Sequence, residues 1–105
     1  MHITSYLQNS QLTIVLSGEI DHHTAKNYMQ AIGAKIEAYT PQICILDFSE
    51  VSFMDSSGIA VVINALRSIS RLEGKLMLTG LKDQPRKVFQ ASGVDKIVEI
   101  KEMAV

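Results

Sequence analysis

Hydrophobic residues along the chain occur in two patterns, short runs of strand length and longer stretches with helical spacing. The first two runs, Ile3–Leu7 and Leu12–Leu16, lie on either side of Asn9-Ser10, and these two residue types favour tight turns. Two short apolar runs joined by a turn predict a β-hairpin, whose second strand we expect to end at Gly18.

A helical pattern follows the hairpin. Asp21 offers a side-chain cap at the start of this helix. Thr40-Pro41 ends it, because proline disfavours a helical backbone in the residue before it. The apolar stripe of the helix consists of Ala25, Tyr28, Met29, Ile32, Ile36 and Tyr39.

The middle of the chain predicts a buried strand and a second helix. Ile43–Leu46 is a continuous apolar run, which is typical of a strand covered on both faces, and we expect a loop with Asp47 and Glu50 after it. Gly74 stands where a left-handed cap ends the second helix. The apolar positions with helical spacing in that helix are Ile59, Val62, Ile63, Leu66 and Ile69.

The remainder of the chain adds a strand at Lys75–Thr79, a short helix from Asp83-Gln-Pro85 to Gly93, and a last strand around Ile97–Ile100. Strands that alternate with helices imply right-handed crossovers and a parallel sheet, to which the hairpin adds an antiparallel edge. The predicted fold class is a small α/β domain with a mixed, mostly parallel β-sheet of about four to five strands packed with helices. A chain of 105 residues predicts a single domain, residues 1–105.

Composition narrows the cellular setting. A hydrophobic content of 47% with 20% charged residues is ordinary for a globular protein. The longest apolar run, Ile59–Ile63, is far shorter than the ~20 residues that span a bilayer, and no secretory signal is visible after Met1. The single Cys44 lies in an apolar run, where we expect a buried and unreactive thiol. We therefore expect a cytoplasmic protein without a membrane partner.

The charge of the chain argues against nucleic acid as a partner. Ten basic and eleven acidic residues give a net charge of −1, whereas nucleic-acid binders carry a basic excess. The charges are unevenly distributed, with a net −4 over residues 1–57 and a net +3 over residues 58–105. The acidic half contains the two most unusual motifs of the chain.

The first of these motifs is Met54-Asp-Ser-Ser-Gly58, at the start of the second predicted helix. Free backbone N–H groups and the positive end of the helix dipole are expected there. In one interpretation Asp55, Ser56 or Ser57 merely caps the helix. In the other, a serine hydroxyl is presented for phosphorylation, and this end of a helix tolerates the added charge of roughly −1.5 to −2.

The second motif is Gly18-Glu-Ile-Asp-His-His-Thr-Ala25. Like Asp47–Ser57, it follows a predicted strand, and the carboxyl ends of parallel strands form the usual working edge of an open sheet. We therefore expect the two segments to form one acidic surface that contains Ser57. Adjacent histidines suggest a metal site, but His22 and His23 would point about 100° apart on a helix, so solvated histidines beside Asp21 are the preferred interpretation.

Enzymatic alternatives find less support in these motifs. A serine hydrolase would use Ser57 with His2, His22 or His23 as its base, yet the G-x-S-x-G pattern of such enzymes is absent. No glycine-rich phosphate loop occurs, so we expect this chain not to bind ATP itself. We also expect no other cofactor and no bound metal.

Both motifs resemble those of the STAS-domain anti-sigma factor antagonists, specifically the sporulation branch that acts on the anti-sigma F factor. The resemblance covers almost the whole chain. It implies a non-enzymatic binding protein that is phosphorylated on the second serine of Asp-Ser-Ser-Gly, which is Ser57. It also implies a partner-binding surface made by Asp21, Asp55, Ser56, Ser57 and Gly58.

The same resemblance implies the partners. They are an anti-sigma factor that is also an ATP-dependent serine kinase, and a serine phosphatase that restores the unmodified form. Unphosphorylated antagonist would bind the kinase and free the sigma factor, whereas phosphorylated antagonist would not bind. A STAS antagonist of another, stress-related sigma pathway remains the alternative. Such domains usually end in a helix, for which residues 101–105 leave little length, so we expect a short stub or a frayed end there.

Overall fold

The computed structural model of the protein describes residues 2–102, and its frame is a five-stranded mixed sheet. The strands are adjacent in chain order, with an antiparallel first pair and parallel pairs thereafter. This is the predicted fold class and the predicted order of elements. The strands are β1 (His2–Gln8), β2 (Gln11–Ile20), β3 (Ile43–Met54), β4 (Lys75–Thr79) and β5 (Glu99–Lys101). The helices are α1 (Ala25–Tyr39), α2 (Ser57–Arg71) and α3 (Asp83–Ser92), with a 3₁₀ turn at Val94–Lys96 before β5.

The hairpin between β1 and β2 turns at the predicted residues. Asn9 and Ser10 both adopt left-handed conformations, with φ of 53° and 64°. Positive φ at both central residues is the mark of a two-residue type I′ turn, whose twist matches that of the flanking strands. The turn places Gln8 opposite Gln11 and so sets the register of the hairpin.

All three helices pack on one face of the sheet. Right-handed crossovers between strands that follow one another in a single direction place every helix on the same side. On that side lie the fully buried Leu46 and Phe48, and the Phe48 ring meets that of Phe89 from α3 edge to face, at 5.6 Å between centroids. Ile43 and Ile45 point to the opposite side and are partly exposed. The prediction that this strand is covered on both faces is therefore wrong for the described residues.

Strand β3 is much longer than predicted. The segment after Leu46, expected to be a loop, continues as a strand to Met54, and β2 continues past Gly18 to Ile20. The register between β2 and β3 shifts twice, each time by one additional residue in β3, and Gly18 has a φ of 105°. Such bulges break the alternation of buried and exposed residues, which is why this segment does not read as a strand.

The helix ends follow the predictions in two cases and depart from them in a third. Thr40 (φ 41°) ends α1 and Gly93 (φ 82°) ends α3. After α2, however, the left-handed residue is Glu73 (φ 59°) and not Gly74. Gly74 is needed for a different reason, because a Cβ there would lie 2.9 Å from the carbonyl oxygen of Gln42.

The two ends of the described chain add little to the site. The last strand is Glu99–Lys101, slightly later than predicted, and Ile97 before it is exposed. The expected stub at 101–105 falls mostly on residues 103–105, which lie outside the described residues. Within residues 2–102, no helix has the length and hydrophobicity needed to cross a bilayer.

Cys44 provides a test of the core. Its side chain is fully buried in β3, and burial raises the pKa of the thiol from 9.0 to about 12. We expect native protein at about pH 8 to resist a thiol reagent such as dithionitrobenzoate, and guanidinium-unfolded protein to react fully, because the thiolate is the nucleophile. Below the pKa of the thiol in the unfolded chain, both states carry the neutral thiol and this group does not make stability depend on pH. Above it, the free energy of unfolding falls as pH rises towards the raised pKa of the folded protein. Rapid labelling of native protein would contradict this packing.

Candidate functional site

The candidate site lies at the carboxyl ends of β2 and β3. The last residues of the two strands, Ile20 and Met54, are paired, and the Asp55 N–H donates to the Ile20 carbonyl at 3.0 Å. Asp21 and Asp55 therefore leave neighbouring strands at the same level. The structure brings the two sequence motifs together at one edge of the sheet.

A reciprocal pair of hydrogen bonds shapes the Asp21 turn. The Thr24 N–H donates to Asp21 Oδ1 at 3.1 Å, and the Asp21 N–H donates to Thr24 Oγ1 at 3.0 Å. This arrangement is equivalent to a capping box. Asp21 thus stabilises a turn over residues 22–24, and α1 itself begins one turn later than a direct Asp21 cap would place it.

The same turn keeps the Asp21 carboxylate ionised. Desolvation acts to raise the pKa of this carboxyl, but the backbone N–H groups of His23 and Thr24 outweigh it and hold the pKa below the usual 3.8. The charged form is favoured because hydrogen-bond donors stabilise an anion. Its contribution to stability is present above pH 3.8 and is lost as pH falls through the lower folded value. At neutral pH this edge of the sheet carries a fixed negative charge.

Asp55 caps the second helix. Its Oδ1 accepts from the Ser57 N–H at 2.8 Å and its carbonyl oxygen accepts from the Gly58 N–H at 3.0 Å. The Ile59 N–H donates to the Ser56 carbonyl at 3.1 Å. The capping interpretation is therefore confirmed for Asp55, and these three N–H groups, which were expected to be free, are already paired.

Capping by Asp55 leaves the two serine hydroxyls unused. Within residues 2–102, neither the Ser56 nor the Ser57 hydroxyl makes a hydrogen bond to another protein group. Ser56 is exposed, and Ser57 is partly buried in the first turn of α2. The two interpretations of this motif are thus compatible, because one residue caps the helix and another presents a hydroxyl.

Gly58 allows α2 to begin directly against β3. The glycine is buried, and a Cβ at this position would overlap the thioether of Met54, whose side chain is fully buried. A side chain at residue 58 would have to displace the Met54 side chain or move the first turn of the helix away from the sheet. Gly58 therefore sets how closely Ser57 approaches the end of β3.

Asp47 does not belong to this site. It lies in the middle of β3 and faces away from the helices, where it lines a shallow groove of about 300 Å³ together with Tyr6, Thr13 and Met77. The expectation that the acidic residues of the first half form one surface is therefore wrong for Asp47. Because β3 does not stop at Leu46, Asp47 is far from the carboxyl end of its strand.

The paired histidines are solvent-facing. The rings of His22 and His23 are tilted against each other with centroids 3.9 Å apart, and both residues are exposed. In the described part of the chain, no three His, Cys, Asp or Glu side chains lie close enough together to hold a metal ion.

Comparison with known proteins identifies the family of this chain. The STAS domain matches residues 2–103. The chain belongs to the STAS family. The resemblance of the two motifs to those of STAS domains is thereby confirmed at the level of the family.

Relatives of this STAS domain carry related names. It is 34% identical over 93 residues to the anti-sigma-B factor antagonist of Listeria monocytogenes, covering 86% of this chain and 78% of that protein. It is 33% identical over 95 residues to the anti-sigma F factor antagonist of Lysinibacillus sphaericus, covering 90% and 81%.

Two solved structures of one antagonist are also similar. The unphosphorylated form of the anti-sigma factor antagonist SpoIIAA superposes with a TM-score of 0.82 at 28% identity, covering 98% of this chain and 89% of that one. The phosphorylated form of the Bacillus protein SpoIIAA gives a TM-score of 0.74 at 28% identity, covering 98% and 92%.

Sequence reasoning assigned no role to three residues that support this STAS site. Thr24 completes the Asp21 turn, and the spacing of residues 21 and 24 is the signal that would have found it. Met54 lies beneath Gly58, and Gln84 of α3 binds the Met54 backbone. The Gln84 contact joins residues 30 positions apart, so no local pattern reports it.

The packing of Gly58 yields a prediction with an internal control. We expect Gly58→Ala to lower the free energy of unfolding by about 1–3 kcal/mol, because the methyl group overpacks against Met54. Gly33→Ala in the interior of α1 has open space around its Cβ and should raise it by about 0.4–1 kcal/mol. Urea unfolding of both variants measures the two changes. Equal changes in the same direction would contradict the proposed role of Gly58.

Proposed function

We propose that this STAS domain is an anti-sigma factor antagonist. In its unphosphorylated form it binds an anti-sigma factor, which then releases its sigma factor. The observation that carries the proposal is the unused Ser57 hydroxyl in the first turn of α2, next to the turns of Asp21 and Asp55. Relatives at 34% and 33% identity are named as antagonists of this kind.

The proposed partners are two enzymes that act on the same serine. The anti-sigma factor is itself a serine kinase that holds ATP or ADP, and a serine phosphatase reverses the modification. Solved structures of SpoIIAA in phosphorylated and unphosphorylated forms support a switch of this kind. We place the exchange in the cytoplasm, where ATP for the kinase reaction is available.

The proposed acceptor is Ser57, and the proposed binding surface consists of Asp21, Asp55, Ser56, Ser57 and Gly58. A phosphate on Ser57 would gain about 0.3–1 kcal/mol from the dipole of α2. Asp55 already accepts hydrogen bonds from the Ser57 and Gly58 N–H groups, so these donors would not be available to the phosphate. Its charge would therefore stay at the surface and leave the fold unchanged.

Binding would be lost at the interface instead. A dianion next to Asp55, brought against a kinase that holds a nucleotide, meets like charge and must also be desolvated. A loss of roughly 3 kcal/mol, about a hundredfold in affinity, is enough to switch the complex off. Buried unpaired charge readily exceeds that amount.

The alternatives to this function are weaker. A serine hydrolase needs a base within hydrogen-bond reach of its nucleophile, and within residues 2–102 no histidine hydrogen-bonds to Ser57. Relatives named for sigma B and for sigma F match at nearly the same identity. The proposal therefore concerns the class of partner and not one sigma factor.

Substitutions at Ser57 test the switch. Ser57→Ala should stay folded, bind the anti-sigma factor and release sigma factor constitutively, because it cannot be phosphorylated. Ser57→Asp should keep its melting temperature within a few degrees but bind at least tenfold more weakly, since one carboxylate mimics the phosphate in part. Titration calorimetry beside thermal melts measures both effects.

Ser56 supplies the matched control for these variants. Ser56→Ala should still gain one phosphate by intact mass after incubation with the kinase and ATP, and fragmentation should place it on Ser57. Phosphate on Ser56 in the Ser57→Ala protein would refute the choice of acceptor. Loss of binding by Ser57→Asp only through unfolding would refute the local mechanism.

The charge of Asp21 should accelerate association. Asp21→Asn keeps the oxygen that accepts from His23 and Thr24 but removes the negative charge. If the kinase offers a basic patch, the association rate should fall severalfold, and the wild-type rate should fall as salt rises. Asp95→Asn, on an exposed residue of the 3₁₀ turn, controls for net charge. Stopped-flow association rates that are flat across salt concentrations would remove this role.

A further inference from the structure

The end of β3 is held from outside the sheet. Strand β4 pairs with β3 only as far as Asp47, so residues 48–54 extend beyond it. At the end of this extension, the Met54 N–H donates to Gln84 Oε1 at 2.8 Å and Gln84 Nε2 donates to the Met54 carbonyl at 2.8 Å. The side-chain amide of Gln84 thus takes the place of a neighbouring strand for one residue.

The position of Met54 controls that of the Asp55–Gly58 turn, which carries Ser57 and is called the acceptor loop below. On its other side, β3 is tied to β2 by the bond from the Asp55 N–H to the Ile20 carbonyl. The fully buried Met54 side chain lies against Gly58, and the Asp55 carboxylate holds the Ser57 N–H. A shift of Met54 would therefore move the loop from both of its ends.

We propose that Gln84 is a positioning residue for the phosphorylation of Ser57. Its two hydrogen bonds to Met54 hold the Asp55–Gly58 turn where the Ser57 hydroxyl meets the phosphate transferred by the kinase. Gln84 acts through Met54 and makes no hydrogen bond to Ser57 itself. This inference rests on the proposed function and adds to it a contribution from α3, an element outside both motifs.

The chemistry of the contact requires a neutral amide. One group must both accept from the Met54 N–H and donate to the Met54 carbonyl, which glutamine does and an ionised glutamate does not. Gln84→Glu would keep the acceptor but place a second oxygen against the Met54 carbonyl. Gln84→Leu would remove both hydrogen bonds at similar volume. Misplacement of a reacting group by about 1 Å is enough to slow a reaction up to a hundredfold.

The first experiment needs no partner. Amide hydrogen exchange, followed by NMR, should show the Met54 N–H exchanging at least about tenfold faster in Gln84→Leu and Gln84→Glu, because the N–H loses a good acceptor. The Leu46 N–H in the core of β3 should be unchanged. Gln90→Leu makes the same chemical change on an exposed residue of α3 and should alter neither amide.

The second experiment measures phosphorylation by the partner kinase with ATP. Both Gln84 variants should lose about tenfold or more in kcat, and KM for the STAS domain should rise by a smaller factor, because the Asp55–Gly58 turn is misplaced while Asp21 stays in the binding surface. Assays run well below each variant's melting temperature separate this effect from unfolding. Gln84→Glu serves as the measured variant if leucine at this position prevents folding.

Two results would overturn the proposal. One is a wild-type kcat in Gln84 variants whose Met54 amide exchanges rapidly, which would show that the contact does not position Ser57. The other is an equal loss of kcat in Gln90→Leu. If wild-type protein were neither bound nor phosphorylated by any anti-sigma factor, the proposed function would fail and the role in phosphorylation with it. The exchange data would then still report the Gln84–Met54 contact on its own.

Discussion

The parallel pairing of β2 with β3 is the constraint on which the site depends. It continues through two bulges to Ile20 and Met54, well beyond the part of β3 that pairs with β4. Because parallel strands end at the same edge, the residues that follow them, Asp21 and Asp55, are brought level. Without the bulges the two turns would leave the sheet at different heights. A backbone irregularity therefore aligns the two acidic turns.

Each of the two turns is stabilised by its own aspartate. Asp21 binds the N–H groups of His23 and Thr24, and Asp55 binds that of Ser57. Both carboxylates thus have structural partners within their own segment. Within residues 2–102 the hydroxyls of Ser56 and Ser57 consequently hold no hydrogen bond, so a modification of Ser57 breaks none there that stabilises the fold. With this separation, the proposed phosphorylation of Ser57 would leave the stability of the domain intact.

The sequence predicted the regular part of this fold well, because its signals are local. The Asn9-Ser10 turn, the stripe of α1, the strand Lys75–Thr79 and the cap at Gly93 all depend on residues close in the chain. Both site motifs were likewise found where strands end. The bulged half of β3 resembles a loop in the sequence because two additional residues break its period of two.

Contacts between residues far apart in the chain leave no local sequence pattern and were not predicted. One face of the sheet lacks helices because of the order of the strands. That order is set by which strands pair, and composition does not predict it. Gln84 looks like any polar residue at the start of a helix, and only the fold brings it to Met54. The left-handed conformation of Glu73 was not predicted, because the neighbouring Gly74 is the residue type that usually adopts it. Gly74 is instead required by the nearby Gln42 carbonyl.

The consecutive order of the strands also bears on how the chain folds. Each strand pairs with its neighbour in sequence, so no loop longer than one helical crossover has to be closed at any step. The parallel pairs nevertheless join residues as far apart as Gln11 and Ile43, and mixed α/β topologies of this kind fold at intermediate rates. The two strand pairs that align the acidic turns, β1 with β2 and β2 with β3, involve no residue after Met54. Helix α3 follows β4 in the chain, so the Gln84 amide reaches Met54 only when the last third of the domain docks.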